Sequence, residues 1–199
     1  MKKILFITGS LPPMECGVGY YTASLIEHLS TTKQSLVVLT GANSSHLDAS
    51  IQKLHTSSWR LRNAWSLFKS CRQAEADIIH IQYPTVGYGR RLGINVLPWA
   101  IRLLPGRSKL VITLHEYFAS PFLGRMRNLL TVIPAQQIIV SNEADRHSLP
   151  WFLRKKVVII PIGSSVESDK PTSEAKDFIL FFGFPFPAKQ LELLIAAME

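Results

Sequence analysis

The chain has almost no cysteine and few acidic residues, and its longest apolar runs are short. Two cysteines, Cys16 and Cys71, in 199 residues cannot supply a disulfide framework. His, Cys, Asp and Glu nowhere recur at metal-ligand spacing, so no metal site is expected. No apolar run approaches the ~18 residues that span a bilayer. The run after Lys2-Lys3, Ile4 to Ile7, is also shorter than the roughly 7–15 residues of a signal-peptide core. The expectation is a cytoplasmic protein. Gly-Lys-Ser/Thr is missing, which excludes an ordinary P-loop. Gly-x-Gly-x-x-Gly is incomplete, because Thr22 stands where the third glycine belongs. A nicotinamide site also wants an acidic residue roughly 20 positions further on, where Thr40-Gly41 stands instead.

What is present is a core. Apolar residues make up 47% of the chain and charged residues 18%, which argues against disorder. Six short, continuous apolar runs read as strands: Ile4–Ile7, Leu36–Leu39, Ile78–Ile81, Leu110–Leu114, Ile138–Val140 and Val157–Ile160. Continuous runs, unlike alternating ones, mean burial on both faces, as in a parallel sheet. The stretches between them fit crossover helices over Thr22–Leu29, Trp59–Arg72, Leu92–Leu104 and Phe122–Ile133. The second of these places Leu61, Ala64, Trp65, Phe68 and Cys71 on one face, and Pro98 is expected to break or kink the third. Alternation of strand and helix predicts a doubly wound, mostly parallel, Rossmann-like α/β domain over residues 1–163, with its ligand beyond the carboxyl ends of the strands. Residues 164–176 read as a polar linker. The run Phe178–Gly183 and the helical stretch Leu191–Met198 then read as the opening unit of a second domain, residues 177–199.

The most informative stretch is the first thirty residues. A buried strand ends at Thr8-Gly9, prolines interrupt the loop, and Gly17-Val18-Gly19 opens an amphipathic helix. That places bare backbone N–H groups at the positive end of a helix dipole, where an anion can sit. The net charge of +8 is uneven. Between Ser57 and Arg127 eleven basic residues face three acidic ones, while the remainder holds eleven of each sign. Trp59, Trp65 and Trp99 fall in the same segment, which is therefore expected to meet an anionic membrane surface, with tryptophans at the interface. No DNA- or RNA-binding motif accompanies the charge, so no nucleic-acid partner is expected.

Taken in order, several segments resemble the family 4 (group 1) glycosyltransferases. They are Pro12-Pro13 through Gly17-Val18-Gly19-Tyr20-Tyr21-Thr22, Ala76-Asp77-Ile78-Ile79-His80-Ile81-Gln82, Thr113-Leu114-His115-Glu116, Ile139-Val140-Ser141-Asn142-Glu143, Ile160-Pro161-Ile162-Gly163, and Phe182-Gly183-Phe184 followed by Lys189. The resemblance implies the GT-B fold and a retaining, metal-independent transfer of sugar from a nucleotide-sugar donor to a glycan or lipid-linked acceptor. No cofactor is implied beyond that donor. It implies donor binding at Gly17, Gly19 and Lys189, with His115 as the catalytic residue. His115 would hydrogen-bond a sugar hydroxyl or donate toward charge on the leaving phosphate, from an open cleft where it packs little. Gln82, Tyr83, Glu116 and Asn142 follow strand ends and are expected to line the acceptor cleft, whereas His80 is read as structural. Two positions depart from the family pattern, Phe184 where Arg is usual and Gln190 where Gly is usual. The alternatives are a non-catalytic acceptor- or membrane-binding half-domain, or an unrelated Rossmann-type nucleotide binder.

Overall fold

A computed structural model describes residues 1–103, 106–163, 179–181, 183, 185 and 189–198. The chain divides into two compact units, Met1–Ser165 and Val166–Glu199. The first carries a seven-stranded sheet: β1 (Lys3–Thr8), β2 (Ser35–Thr40), β3 (Gln52–His55), β4 (Ile78–Tyr83), β5 (Lys109–Leu114), β6 (Gln137–Val140) and β7 (Val157–Ile159). Every pairing is parallel, in the order β3-β2-β1-β4-β5-β6-β7. The helices are α1 (Gly17–Ser30), α2 (Ala64–Gln73), α3 (Gly93–Leu103), α4 (Phe122–Val132), α5 (Glu143–Ser148) and α6 (Trp151–Arg154). This is the doubly wound Rossmann-like fold that the apolar runs imply.

Six of the seven strands coincide with those runs; the five inner ones, β1, β2, β4, β5 and β6, are clothed on both faces, while β7, at one edge, keeps Val158 exposed. The exception is β3, Gln-Lys-Leu-His at the sheet's edge, where the residues are mostly exposed and no apolar run is needed. The helix α3 continues through Pro98, which is itself buried; packing against α2 and α4 outweighs the expected break. Helix α2 begins at Ala64, after a 3₁₀ turn at Leu61–Asn63, and buries Leu67, Phe68 and Cys71. Leu61 and Trp65 are exposed, so the apolar face expected from sequence is rotated.

Two apolar layers flank the sheet. Ile26 of α1 covers Phe6, Leu36 and Val38 on one face. The larger layer, on the other, joins Leu5, Ile7, Ile79, Ile81, Ile112 and Leu114 to α2 and α3 through Phe68, Ile94 and Leu97. Each such side chain taken out of water contributes about 1.5–3 kcal/mol.

Trp59 requires a correction. It is 2% exposed and packs edge-on against Tyr88, with ring centroids 4.8 Å apart, so it belongs to the core and to no membrane interface. Trp65 is exposed and Trp99 half-buried. No described helix is long and apolar enough to cross a membrane.

The expected linker, residues 164–176, and Phe178 and Phe182 lie outside the described residues. Ile179–Phe181 carry no strand, so the described part of that run departs from the sequence expectation. In the second unit, α7 (Leu191–Ala196) follows Lys189, which is exposed.

The sheet's carboxyl edge is fixed by a backbone contact. A Cβ placed on Gly87 would lie 1.7 Å from the Gly9 carbonyl oxygen. The Gly87 N–H donates to Ser10 Oγ at 2.8 Å, and the Tyr88 hydroxyl donates to the Ile7 carbonyl at 3.1 Å. Gly87→Ala is therefore expected to lower stability by roughly 2 kcal/mol or more, because backbone must move. Gly17→Ala, whose Cβ meets nothing, is expected to be neutral or slightly stabilising. Urea unfolding of the two variants checks the contrast. Equal midpoints would show that the two loops separate freely.

Candidate functional site

The site is built where β1, β4 and β5 end. Registers pair Phe6 with His80, His80 with Val111, and Gln82 with Thr113. Alternation along the strands thus places His80, Gln82 and Thr113 on one face, with His115 one step beyond Leu114. These side chains form a hydrogen-bonded chain. Gln82 Nε2 donates to His80 Nε2 at 3.3 Å, and Thr113 Oγ1 donates to the same nitrogen at 2.8 Å. His115 Nε2 in turn donates to Gln82 Oε1 at 3.1 Å.

The placement of the Gln82 amide assigns the tautomers. His80 accepts at Nε2 and so carries its proton on Nδ1. His115 donates from Nε2, which leaves a lone pair on Nδ1. None of the described residues engages that atom. Burial pushes both imidazoles down to about 4, with the neighbouring His115 adding to the effect on His80. Asp145 opposes the shift of His115. Near neutral pH both rings are uncharged, and His115 presents an acceptor, with its one N–H already spent.

His115 is 6% exposed, which corrects the expectation of an open cleft residue. Its ring meets the edge of Tyr21, with centroids 5.5 Å apart. Tyr21 lies in the second turn of α1, so that contact brings the glycine-bearing helix to the end of β5.

Cys16 is the N-cap of α1, and no side chain caps the helix or places an acidic group in its first turn. The Tyr20 N–H bonds Cys16 O. The N–H groups of Gly17, Val18 and Gly19 precede that first intrahelical bond. Gly19 has a packing reason as well, since its Cβ would meet Ser10 backbone at 3.2 Å. Gly17, at an exposed position, does not.

Two of the expected acceptor residues are placed differently. Tyr83 points into the core, 1% exposed, and its hydroxyl accepts a 2.7 Å hydrogen bond from Asn95 Nδ2. Strand alternation sends Tyr83 to the opposite face from Gln82. Asn142 is the N-cap of α5; its Oδ1 accepts from the Asp145 N–H and its Nδ2 donates to the Asp145 carboxylate, so its polar atoms serve the helix start. Gln82 is fully buried and reaches the site through His115. Glu116 is exposed, with φ +56, a backbone conformation that side chains other than glycine rarely adopt.

Sequence reasoning missed Asp145. It is 2% exposed, and its Oδ1 accepts from the Phe118 N–H at 2.7 Å, which pins the loop after β5 to the start of α5. The spacing Asn142-x-x-Asp145 is a capping-box pattern that pointed to it. Thr85, 7% exposed beside Gly9, keeps an Oγ1 without a hydrogen-bond partner among the described residues. Lys189 belongs to the second unit. Among the described residues no three His, Cys, Asp or Glu side chains converge as a metal site would need. A concavity of about 700 Å³ lies at the opposite end of the strands, lined by Arg72, Glu75, Asp77 and Arg107.

No protein-family model matches the sequence, and no curated protein matches it by sequence. Solved structures do match. UDP-GlcNAc 2-epimerase from Methanocaldococcus jannaschii aligns at 12% identity and TM-score 0.50, over 79% of this chain and 45% of that one. An α-glucosyltransferase solved with UDP and a mismatched DNA aligns at 17% identity and TM-score 0.49, over 79% and 40%. WbmH from Bordetella bronchiseptica, solved with NAD+, aligns at 10% identity and TM-score 0.48, over 70% and 54%. The chain spans about half the length of these proteins. The likeness to the epimerase bears on the fold alone, and that fold is Rossmann-like.

The histidine chain has a consequence for stability. Both folded-state values lie below the ordinary 6.5, so the unfolded chain binds more protons between about 4 and 6.5. The stability tied to neutral rings is fully present above pH 6.5 and is lost as pH falls toward 4, on the order of 3 kcal/mol per ring. Denaturant midpoints measured from pH 7.5 to 4.5 should fall through that window. A midpoint that stays level would mean that water reaches both rings.

Proposed function

We propose that this chain supplies the acceptor-side, Rossmann-like half of a retaining glycosyltransferase of the GT-B type, with residues 177–199 opening the donor-side domain. The observation that carries the reading is the contact between Tyr21 and His115. It places the uncapped N-terminus of α1 and a neutral imidazole at one end of the sheet, where doubly wound folds bind ligands. Two of the segments that resemble family 4 glycosyltransferases, Gly17–Thr22 and Thr113–Glu116, meet there.

In this reading the N–H groups of Gly17, Val18 and Gly19 meet the donor diphosphate. They act with the helix dipole as fixed positive ends, which stabilise charge on the departing nucleotide without reorganisation. Lys189, in the second unit, is the cation that the resemblance assigns to a donor diphosphate. His115 accepts a hydrogen bond from a sugar hydroxyl at Nδ1 and so orients the anomeric carbon. Its Nε2–H is committed to Gln82, which favours this role over donation to the leaving phosphate. Glu116 lines the acceptor side. A nicotinamide-binding reading is disfavoured at β2, where Thr40 is buried and its Oγ1 accepts from the Ala42 N–H.

The test uses the helix start. Pro is accepted at the first helical position, and the extended backbone of Cys16 (φ −150, ψ 113) suits a residue preceding proline. Gly17→Pro deletes one N–H and keeps the helix. Titrated with UDP, GDP and ADP, the wild type should show amide shifts at Gly17–Gly19 by NMR. Gly17→Pro should weaken that binding about threefold or more, with its melting temperature unchanged. In a full-length, two-domain enzyme assayed with its nucleotide sugar, His115→Ala should lower kcat roughly 100-fold. Diphosphate shifts confined to other residues would remove the reading.

A further inference from the structure

Helix α4 is apolar on two sides: Val132 and Leu129 pack on the core, while a second apolar stripe faces outward. Its buried side chains include Asn128 and Thr131, 4% and 0% exposed, whereas Phe122, Leu123, Met126 and Leu130 are 75%, 78%, 55% and 40% exposed. Phe122, Met126 and Leu130 follow one another at i, i+4 and i+8, so they form one stripe.

This arrangement is held by hydrogen bonds. Asn95 Nδ2 donates to Thr131 Oγ1 at 2.7 Å, and Arg127 Nε donates to Asn95 Oδ1 at 3.0 Å. Arg127 also donates to the carbonyls of Gly89 and Arg91, and Asn128 Nδ2 donates to Ser120 Oγ. Rotating the stripe inward would break all of these at once. The stripe continues onto α3, where Trp99 Nε1 donates to the Leu130 carbonyl and Leu103 is exposed.

The charge carried by the two helices has one sign. Neither α3 nor α4 contains an acidic residue, and from residue 78 to residue 142 Glu116 is the only one in the sequence. Beyond the carboxyl end of α4, Lys156 Nζ donates to the Ile133 carbonyl. Burial, and then the charges of Arg102 and Lys155, lower the pKa of that amine, so three cations share this end of the helix pair. Scattered apolar residues are ordinary on a surface, whereas a continuous stripe with three cations at one end is the pattern of a surface that meets anionic lipid.

We propose that the outer face of α4, with Trp99 and Leu103 of α3, docks on an anionic phospholipid bilayer. The apolar side chains enter the interface, and Arg102, Lys155 and Lys156 lie against lipid phosphates. This replaces the surface expected from sequence, since Trp59 is in the core.

Co-sedimentation with vesicles tests it: phosphatidylcholine alone, and phosphatidylcholine with phosphatidylglycerol, each at low and raised salt. The chain should partition roughly tenfold more strongly to the phosphatidylglycerol vesicles, with the preference shrinking as salt screens it. Phe122→Ser with Met126→Ser should abolish sedimentation. Arg102→Gln with Lys155→Gln should remove the lipid preference, and it decides the matter if the first pair perturbs the circular dichroism spectrum. Equal partitioning to both vesicles overturns the proposal, as does a folded Phe122→Ser, Met126→Ser variant that sediments like wild type. So does a dimer in solution that this variant dissociates while vesicles are ignored, because a second copy would then be the occupant. No sugar donor enters the assay, so its failure leaves the transferase reading untouched, and the reverse holds.

Discussion

The backbone contact between Gly9 and Gly87 governs the carboxyl edge of the sheet. Two loops that leave neighbouring strands touch there without side chains between them, and the next residues are locked in consequence. Ser10 accepts the Gly87 N–H, and Tyr88 reaches back to the Ile7 carbonyl. Tyr88 then fills the core against Trp59 and Tyr83. Because Gly19 packs against Ser10 in turn, the start of α1 is held by the same contact. The N-terminal N–H groups are thereby fixed in space, the condition that the proposed electrostatic role requires.

From that edge the polar chain along β4 and β5 follows. A sheet face with Phe6 and Ile4 at one end cannot carry four polar side chains unless each is hydrogen-bonded, since an unpaired buried group costs about 1–3 kcal/mol. Gln82 resolves this by donating with one end of its amide and accepting with the other. The same geometry chooses the tautomer of His115. One amide thus links a folding requirement to the chemistry available at the site. His80, which touches no proposed ligand, belongs to that linkage because its acceptor nitrogen orients the amide.

The fold was legible because burial on both faces forces continuous apolar runs, and the five inner strands are written that way, with the edge strand β7 apolar as well. β3 was not, because an exposed edge strand needs no such run. The candidate site was legible only in part. His115, Gly17 and Gly19 were visible as strand-end and helix-start residues. The face on which a strand-end side chain lies depends on the parity of its position, and that parity separates Gln82 from the buried Tyr83. Asn142 could not be told from a ligand residue without seeing that its amide is consumed by Asp145. The basic segment was read as one surface because charge counts carry no direction.

Helix α4 shows why direction is the harder quantity. Its sequence, Phe-Leu-Gly-Arg-Met-Arg-Asn-Leu-Leu-Thr-Val, invites the usual arrangement with the aromatic and aliphatic residues inward. Turning Phe122, Met126 and Leu130 inward would gain burial of three large side chains, a few kcal/mol by area. It would also take Thr131 and Arg127 away from the fully buried Asn95 and release Arg127 from two carbonyls. Each of those losses is of the size of one buried apolar side chain, and they come together because the groups form one network. The polar arrangement therefore prevails, and the apolar stripe remains outside as its consequence.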